Sequence, residues 1–247
     1  MSRTHAKYNW MNGAFPLVYD KTTQESILPM FPVVFYDDFI GAAGGDIFDG
    51  TIKWNTVLVT ANATCAIVAN SSCGEFMIHL AVDDEAEDSV LYMGDNKNFD
   101  AGEDMVFEAR VNVKVLPTLG AEGIWGMITD HNLDNDTIAV GAFFKLDGSG
   151  ALLLETDDTT NDNDDTATGV TIVAGVYHVY RIDFNDTSDV KFYMDNVRLA
   201  PATTFDMSNM TAAEHHMQPY FELDKASTAG VGSIVIDYVR IFSDREA

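Results

Sequence analysis

The amino-acid sequence predicts an all-β fold, a two-sheet antiparallel sandwich, and three observations carry that expectation. Apolar and polar residues alternate with a period of two along run after run, as in strands with one buried and one wet face. Clusters of Gly, Asn, Asp and Ser fall between these runs at the spacing a double sheet needs. Long unbroken apolar runs, the mark of buried parallel strands, are not the pattern. At 247 residues and 47% hydrophobic, the chain is long enough to bury one large core as a single domain.

Residues 1–32 differ from the rest. Pro16, Pro29 and Pro32 punctuate them, and the apolar residues, including Trp10, Met11, Phe15, Leu17, Ile27 and Phe31, keep no sustained period. Proline fixes φ and removes a donor, so this segment reads as an extended N-terminal arm. So many large apolar groups must be hidden on the body or on a neighbour.

The sandwich is expected over 33–247. Val33 to Ile40 opens it, and Thr51 to Val59, Glu75 to Val82 and Val106 to Val115 alternate as half-buried strands. Gly123 to Ile128, Thr137 to Leu146, Val176 to Phe184, Val190 to Asp195 and Ser233 to Phe242 continue the pattern. Met207 to Met217 alone looks mildly helical.

Charge restricts the partners. Thirty-nine acidic groups against 14 basic ones give a formal net charge of −25. Nucleic-acid binding needs a basic surface, and anionic membranes repel an acidic one, so neither is an expected partner. The arm stands apart here too, with Arg3, Lys7 and Lys21 against Asp20 and Glu25 in its first 25 residues. No stretch approaches the ~20 apolar residues of a membrane span. The first residues lack a signal peptide's apolar stretch, so synthesis and assembly in a cytoplasm are expected. Cys65 and Cys73, which a hairpin would bring face to face, then read as ordinary thiols.

Few motifs carry chemistry. Asp130-His-Asn132-Leu-Asp134-Asn-Asp136 has the alternating oxygen ligands of a calcium loop. It departs from an EF-hand at Asn135, where glycine is needed, and at Gly141, where the bidentate Glu belongs. Asp157 to Asp165 is a second oxygen-rich turn, although such turns form without an ion. His215 and His216 are adjacent and read as surface histidines, and Trp54 and Trp125, on alternating strands, read as core.

Several segments together resemble the concanavalin A-like lectin/glucanase superfamily, particularly its laminin G-like members. They are Phe35-Tyr-Asp-Asp-Phe39, Phe107-Glu-Ala-Arg-Val111, Tyr177 to Asp183 followed by Val190 to Asn196, and the closing Ile234 to Phe242. The resemblance implies a jelly roll whose last strand returns beside its first. Such domains behind a non-secretory arm are similar to virion proteins of tailed phages that decorate or cement the capsid or form head fibres. It therefore implies a virion structural protein on the outer capsid surface, with capsid proteins or copies of itself as partners through the arm. A carbohydrate-binding adhesion module, with glycans as partners, is the alternative.

Glucanases of that superfamily carry Glu-x-Asp-x-x-Glu on one strand. The nearest match, Glu222-Leu-Asp224-Lys-Ala-Ser227, ends in Ser227 and places Lys225 between. The expectation is therefore a protein that is not an enzyme, with no catalytic residues, no required cofactor and calcium as the one candidate ion. A glucanase-type glycoside hydrolase stands third.

Overall fold

A computed structural model describes residues 6–10, 16–20, 26–27, 33–39, 54–60, 62–71 and 74–245. Strands β1 (Ala6–Trp10), β2 (Pro16–Asp20) and β3 (Ser26–Ile27) form a three-stranded antiparallel sheet of their own. Trp10 lies opposite Pro16, Asn9 opposite Leu17 and Val18 opposite Ile27. The expected single arm thus doubles back on itself. Pro16 opens its strand, a place where a missing N–H is tolerated. Met11, Phe15 and Phe31 lie outside the described residues.

The sandwich begins with β4 (Val33–Asp37), β5 (Asn55–Leu58), β6 (Thr64–Ile67), β7 (Phe76–Leu80), β8 (Glu87–Tyr92) and β9 (Phe99–Asp100). It continues with β10 (Val106–Val115), β11 (Ala121–Ile128), β12 (Val140–Leu146), β13 (Ala151–Asp158) and β14 (Asp162–Thr171). It closes with β15 (Tyr177–Asp183), β16 (Lys191–Met194), β17 (Val197–Arg198), β18 (His216–Lys225) and β19 (Gly232–Ser243). A back sheet runs β17-β16-β15-β10-β19-β7-β6 with β4 also on β19, and a front sheet runs β14-β13-β12-β11-β18-β8-β5 with β9 also on β18. Every pairing is antiparallel. The last strand does return beside the first, with Val33 opposite Ser243 and Asp37 opposite Val239.

Alternation builds the core. Phe107, Ala109, Val111 and Val113 of β10 face Trp125 and Met127 of β11, Phe144 of β12 and Phe221 of β18 across the sandwich. Each large side chain so buried contributes about 1.5–3 kcal/mol. Trp125 packs edge-on to Tyr180 at 4.9 Å and Trp54 lies 5.8 Å from Phe39, so both tryptophans are core, as their positions predict.

Two expectations change here. Met207 to Met217 forms turns that run into β18, with Met207 and Met217 in the core, and no α-helix occurs among the described residues. The oxygen-rich Asp157 to Asp165 is the tip of the β13–β14 hairpin, with Asp157 opposite Asp162. Strand β14 is an edge, where acidic side chains discourage a further strand from adding.

Candidate functional site

The front sheet has a second apolar cluster on the face turned away from the core. Val90 and Tyr92 of β8, Tyr220 of β18, Ile124 and Ile128 of β11 and Phe143 of β12 gather there with Ile138. Gly126 makes room: a Cβ at that position would stand 2.6 Å from the Phe143 Cα and 2.3 Å from the Ala142 carbonyl oxygen.

Carboxyls flank this cluster. In β18, period two puts Tyr220, Glu222 and Asp224 on the outward face. Asp224 lies directly opposite Asp88 on one side and Glu122 on the other, a row of three acids across three strands. Glu222 sits one step along, between Val90 and Ile124, and Ile124 in turn faces Lys145. Lys225 points to the other face, where its ammonium donates to the Ala81 and Asp83 carbonyls at 2.7 and 2.8 Å, so it does not neutralise the row.

Burial sets the electrostatics. It pushes the Asp224 carboxyl up to about 7, and the nearby charges of Glu122 and Asp88 add to the shift. Burial also raises Asp88. Glu222 is fully inaccessible, and its oxygens make no well-formed hydrogen bond among the described residues; the neighbouring Tyr220 hydroxyl, which donates to Asn132, draws it down only in part. Burial, then Asp224 and Asp88, hold it well above the usual carboxylate range. Lys145, only 5% exposed, lies 2.9 Å from Asp136, 3.2 Å from Asp165, 3.5 Å from Glu122 and 3.6 Å from Glu155. These acids outweigh its own burial and raise it, while burial takes Glu155 to about 7 against the pull of Lys145.

The connection from Thr129 to Ala139 folds over this face. Tyr220 donates its hydroxyl to the Asn132 carbonyl at 2.9 Å, the Asn135 amide donates to Asp224 Oδ1 at 3.3 Å, and Ile138 caps the apolar cluster. This is also the segment with calcium-loop spacing, and its four oxygen residues are drawn apart. Asp130 accepts from Lys97 at 2.9 Å, Asp136 accepts from Lys145, Asn132 donates to the Thr137 hydroxyl at 2.6 Å, and Asp134 is exposed. Among the described residues no group of three or more His, Cys, Asp or Glu is gathered as a cation requires. Two of its three acids hold ammonium groups instead, so the donor set does not fit calcium.

The other sequence candidates separate. His215 Nδ1 is 3.9 Å from Asp100 Oδ1, and His216 Nδ1 contacts the Ala212 carbonyl at 3.0 Å. Cys65 is a half-buried thiol pushed up to about 12 by burial, and Cys73 lies outside the described residues. Trp10, Leu17 and Ile27 belong to the N-terminal sheet.

Sequence reasoning missed Asp88, Glu122, Lys145 and Glu155. Asp88 closes the acidic run Asp83 to Asp88, whose composition alone suggests a solvated loop. The alternation of Asp88, Val90 and Tyr92 with core residues was the signal that a strand starts there.

No family model matches the chain, and no curated protein matches it. Solved structures do. A Bacteroides ovatus mixed-linkage glucan GH16 in complex with a product is 13% identical over 84% of this chain and 99% of its own, with a TM-score of 0.58. An endo-1,3-β-glucanase from Streptomyces sioyaensis is 16% identical over 86% and 96%, TM-score 0.58. A carbohydrate esterase from a Shiga toxin-encoding bacteriophage is 12% identical over 78% and 91%, TM-score 0.50. At these identities the likeness establishes the fold alone, a two-sheet concanavalin A-like jelly roll. The expectation that the chain is not an enzyme is corrected on this finding: the fold is shared with glycoside hydrolases, and the carboxyls set aside in the sequence share one sheet face.

Proposed function

We propose that the front face carries a glycoside-hydrolase-type site acting on a polysaccharide of the glucan class. The observation that supports it most is the row Asp88–Asp224–Glu122. Directly opposed positions on antiparallel strands hold their Cβ atoms about 5 Å apart. That allows a carboxyl separation of about 5–5.5 Å, as in retaining hydrolysis. Asp224, poised near neutrality, is the general acid that protonates the departing glycosidic oxygen. Glu122, a third exposed and beside Lys145, is the carboxylate that attacks the anomeric carbon. Water, losing its proton to Asp224, then releases the sugar and regenerates both groups. The sharing of fold with glucanases supports the substrate class.

The test is release of reducing ends from mixed-linkage glucan and β-1,3-glucan. Wild type is expected to cleave at least one, and Asp224→Asn to lose about 10²–10⁴-fold in rate. No cleavage of any substrate, or full activity in Asp224→Asn, overturns the reading.

A second reading concerns residues 1–32. Their described strands pair with one another and with no strand of the sandwich, which supports an attachment unit that docks the sandwich on an outer capsid surface or on copies of itself. Light scattering should then show the full chain larger than one subunit. A compact monomer, unchanged by removal of residues 1–32 and indifferent to phage heads, sinks it.

A further inference from the structure

We infer that residues 129–139 are a lid over the carboxyl row, with Glu222 as its latch: the lid stays down while Glu222 is a neutral acid and lifts when Glu222 ionises. The inference deepens the hydrolase reading and takes its purpose from it, because lifting the lid would uncover Glu222 and the Tyr220–Phe143 platform beside Asp224.

The geometry makes the latch. Glu222 points outward from the sheet, away from the core, yet it is fully buried, and the lid is anchored to the residues on either side of it along the strand, Tyr220 through Asn132 and Asp224 through Asn135. The Tyr220 hydroxyl, on the same face, is committed to the lid carbonyl of Asn132. An ionised carboxylate left there without a donor is costly, whereas the neutral acid is tolerated. A buried polar group without a partner calls for an explanation, and a group that must change charge to open a cover supplies one.

The charges around Glu222 act in a consistent direction. Asp224 on its own strand and Asp88 on β8 both oppose its ionisation, and Asp134 brings a third acid from the lid. Glu122 on β11 lies one row away, and on β12 Lys145 is the cation on this face, already held by Asp136 of the lid. Ionisation of Asp224 works the other way, because its Oδ1 accepts the Asn135 amide of the lid and a charged acceptor strengthens that bond. His131 of the lid, 3.1 Å from Asp95 outside it, is the other group whose loss of a proton would loosen the lid as pH rises, and Glu222→Gln separates the two.

The sign follows from linkage. The closed form binds the Glu222 proton more tightly than the open form. Closure is complete below the group's ordinary range and weakens as pH rises toward its closed-state value, by up to about tenfold per pH unit.

The experiment is amide hydrogen exchange of the full chain without substrate, from pH 5 to pH 8, read at the Thr137 and Ile138 amides. Both donate within the lid, to Asp134 at 3.0 Å and Asn135 at 3.3 Å. After correction for intrinsic rates, wild-type protection should fall about tenfold or more across the range. In Glu222→Gln it should stay flat, and in Asp224→Asn the fall should persist. Flat protection in wild type, or an equal fall in Glu222→Gln, overturns the latch. Should Glu222→Gln not fold, infrared titration is the second arm. Asp224 and Glu155 lose protons in the same range, so the protonated-carboxyl band that remains in Asp224→Asn and in Glu155→Gln must vanish in step with protection, and that band unchanged while protection falls also overturns it. Because no substrate is present, absence of hydrolysis leaves this result standing, and failure of the latch leaves the hydrolase reading intact.

Discussion

The two outer faces of the sandwich handle charge in opposite ways. On the back sheet Arg110, Arg181 and Arg240 lie over tyrosine rings, and Arg110 and Arg240 also meet carboxylates. Arg110 lies 2.5 Å from Asp237 and 4.2 Å over the Tyr177 ring, and Arg181 lies 4.3 Å over Tyr193 and donates to Asn196 at 2.6 Å. Arg240 lies 4.2 Å over Tyr238 and 3.6 Å from Glu108, which also accepts the Tyr238 hydroxyl. On the front sheet Lys145 faces four carboxylates, while Asp88, Asp224 and Glu222 are raised by burial. Asp183 on the back sheet is also raised by burial, but it stands singly, whereas on the front sheet three raised acids are gathered in adjoining positions.

Four substitutions break or sharpen this contrast, and urea unfolding measures each. Arg240→Met takes the cation from buried Glu108 and should destabilise by about 3–5 kcal/mol at neutral pH. A loss below 1 kcal/mol would show that the back-sheet pairs are ornamental. Lys145→Met should cost about 2–3 kcal/mol at pH 8. Most of that should return at pH 5, because Glu155 is then protonated and has no need of the ammonium. Equal losses at both values would remove Glu155 as the cause.

Glu222→Gln should have the opposite sign. The Glu222 carboxyl is raised in the folded protein, so its proton favours folding below its ordinary range and that advantage is lost as pH rises. The variant should match wild type near pH 4 and exceed it by a margin that grows as pH rises to 8; destabilisation at pH 8 would mean the carboxylate is satisfied after all. Lys97→Ala, which removes an exposed partner of Asp130, should change stability by less than about 0.5 kcal/mol. A larger loss would make the lid depend on its rim.

Legibility in the sequence varied with exposure and with span. Strands β10, β15 and β19 were plain because one face is core and the other carries Arg110, Arg181 and Arg240, so the period of two is visible. Strand β18 was obscured because nearly all of it is buried on both faces and Pro219 interrupts it, opposite Met127. Strand β14 was hidden by its polar composition, which suits an edge. The near-motif Glu222-Leu-Asp224 was visible, but its missing third acid argued against catalysis. The acids that complete the site stand on neighbouring strands instead.

Taken alone, the sequence determined the antiparallel sandwich and the negative net charge, because side-chain alternation and charge are local or summed properties. Tertiary structure alone decided that Asp88, Glu122 and Asp224 form one row, that Lys225 turns away from it, and that the calcium-like segment lies over Glu222. Strand register brings together residues more than a hundred positions apart, and no local pattern encodes it.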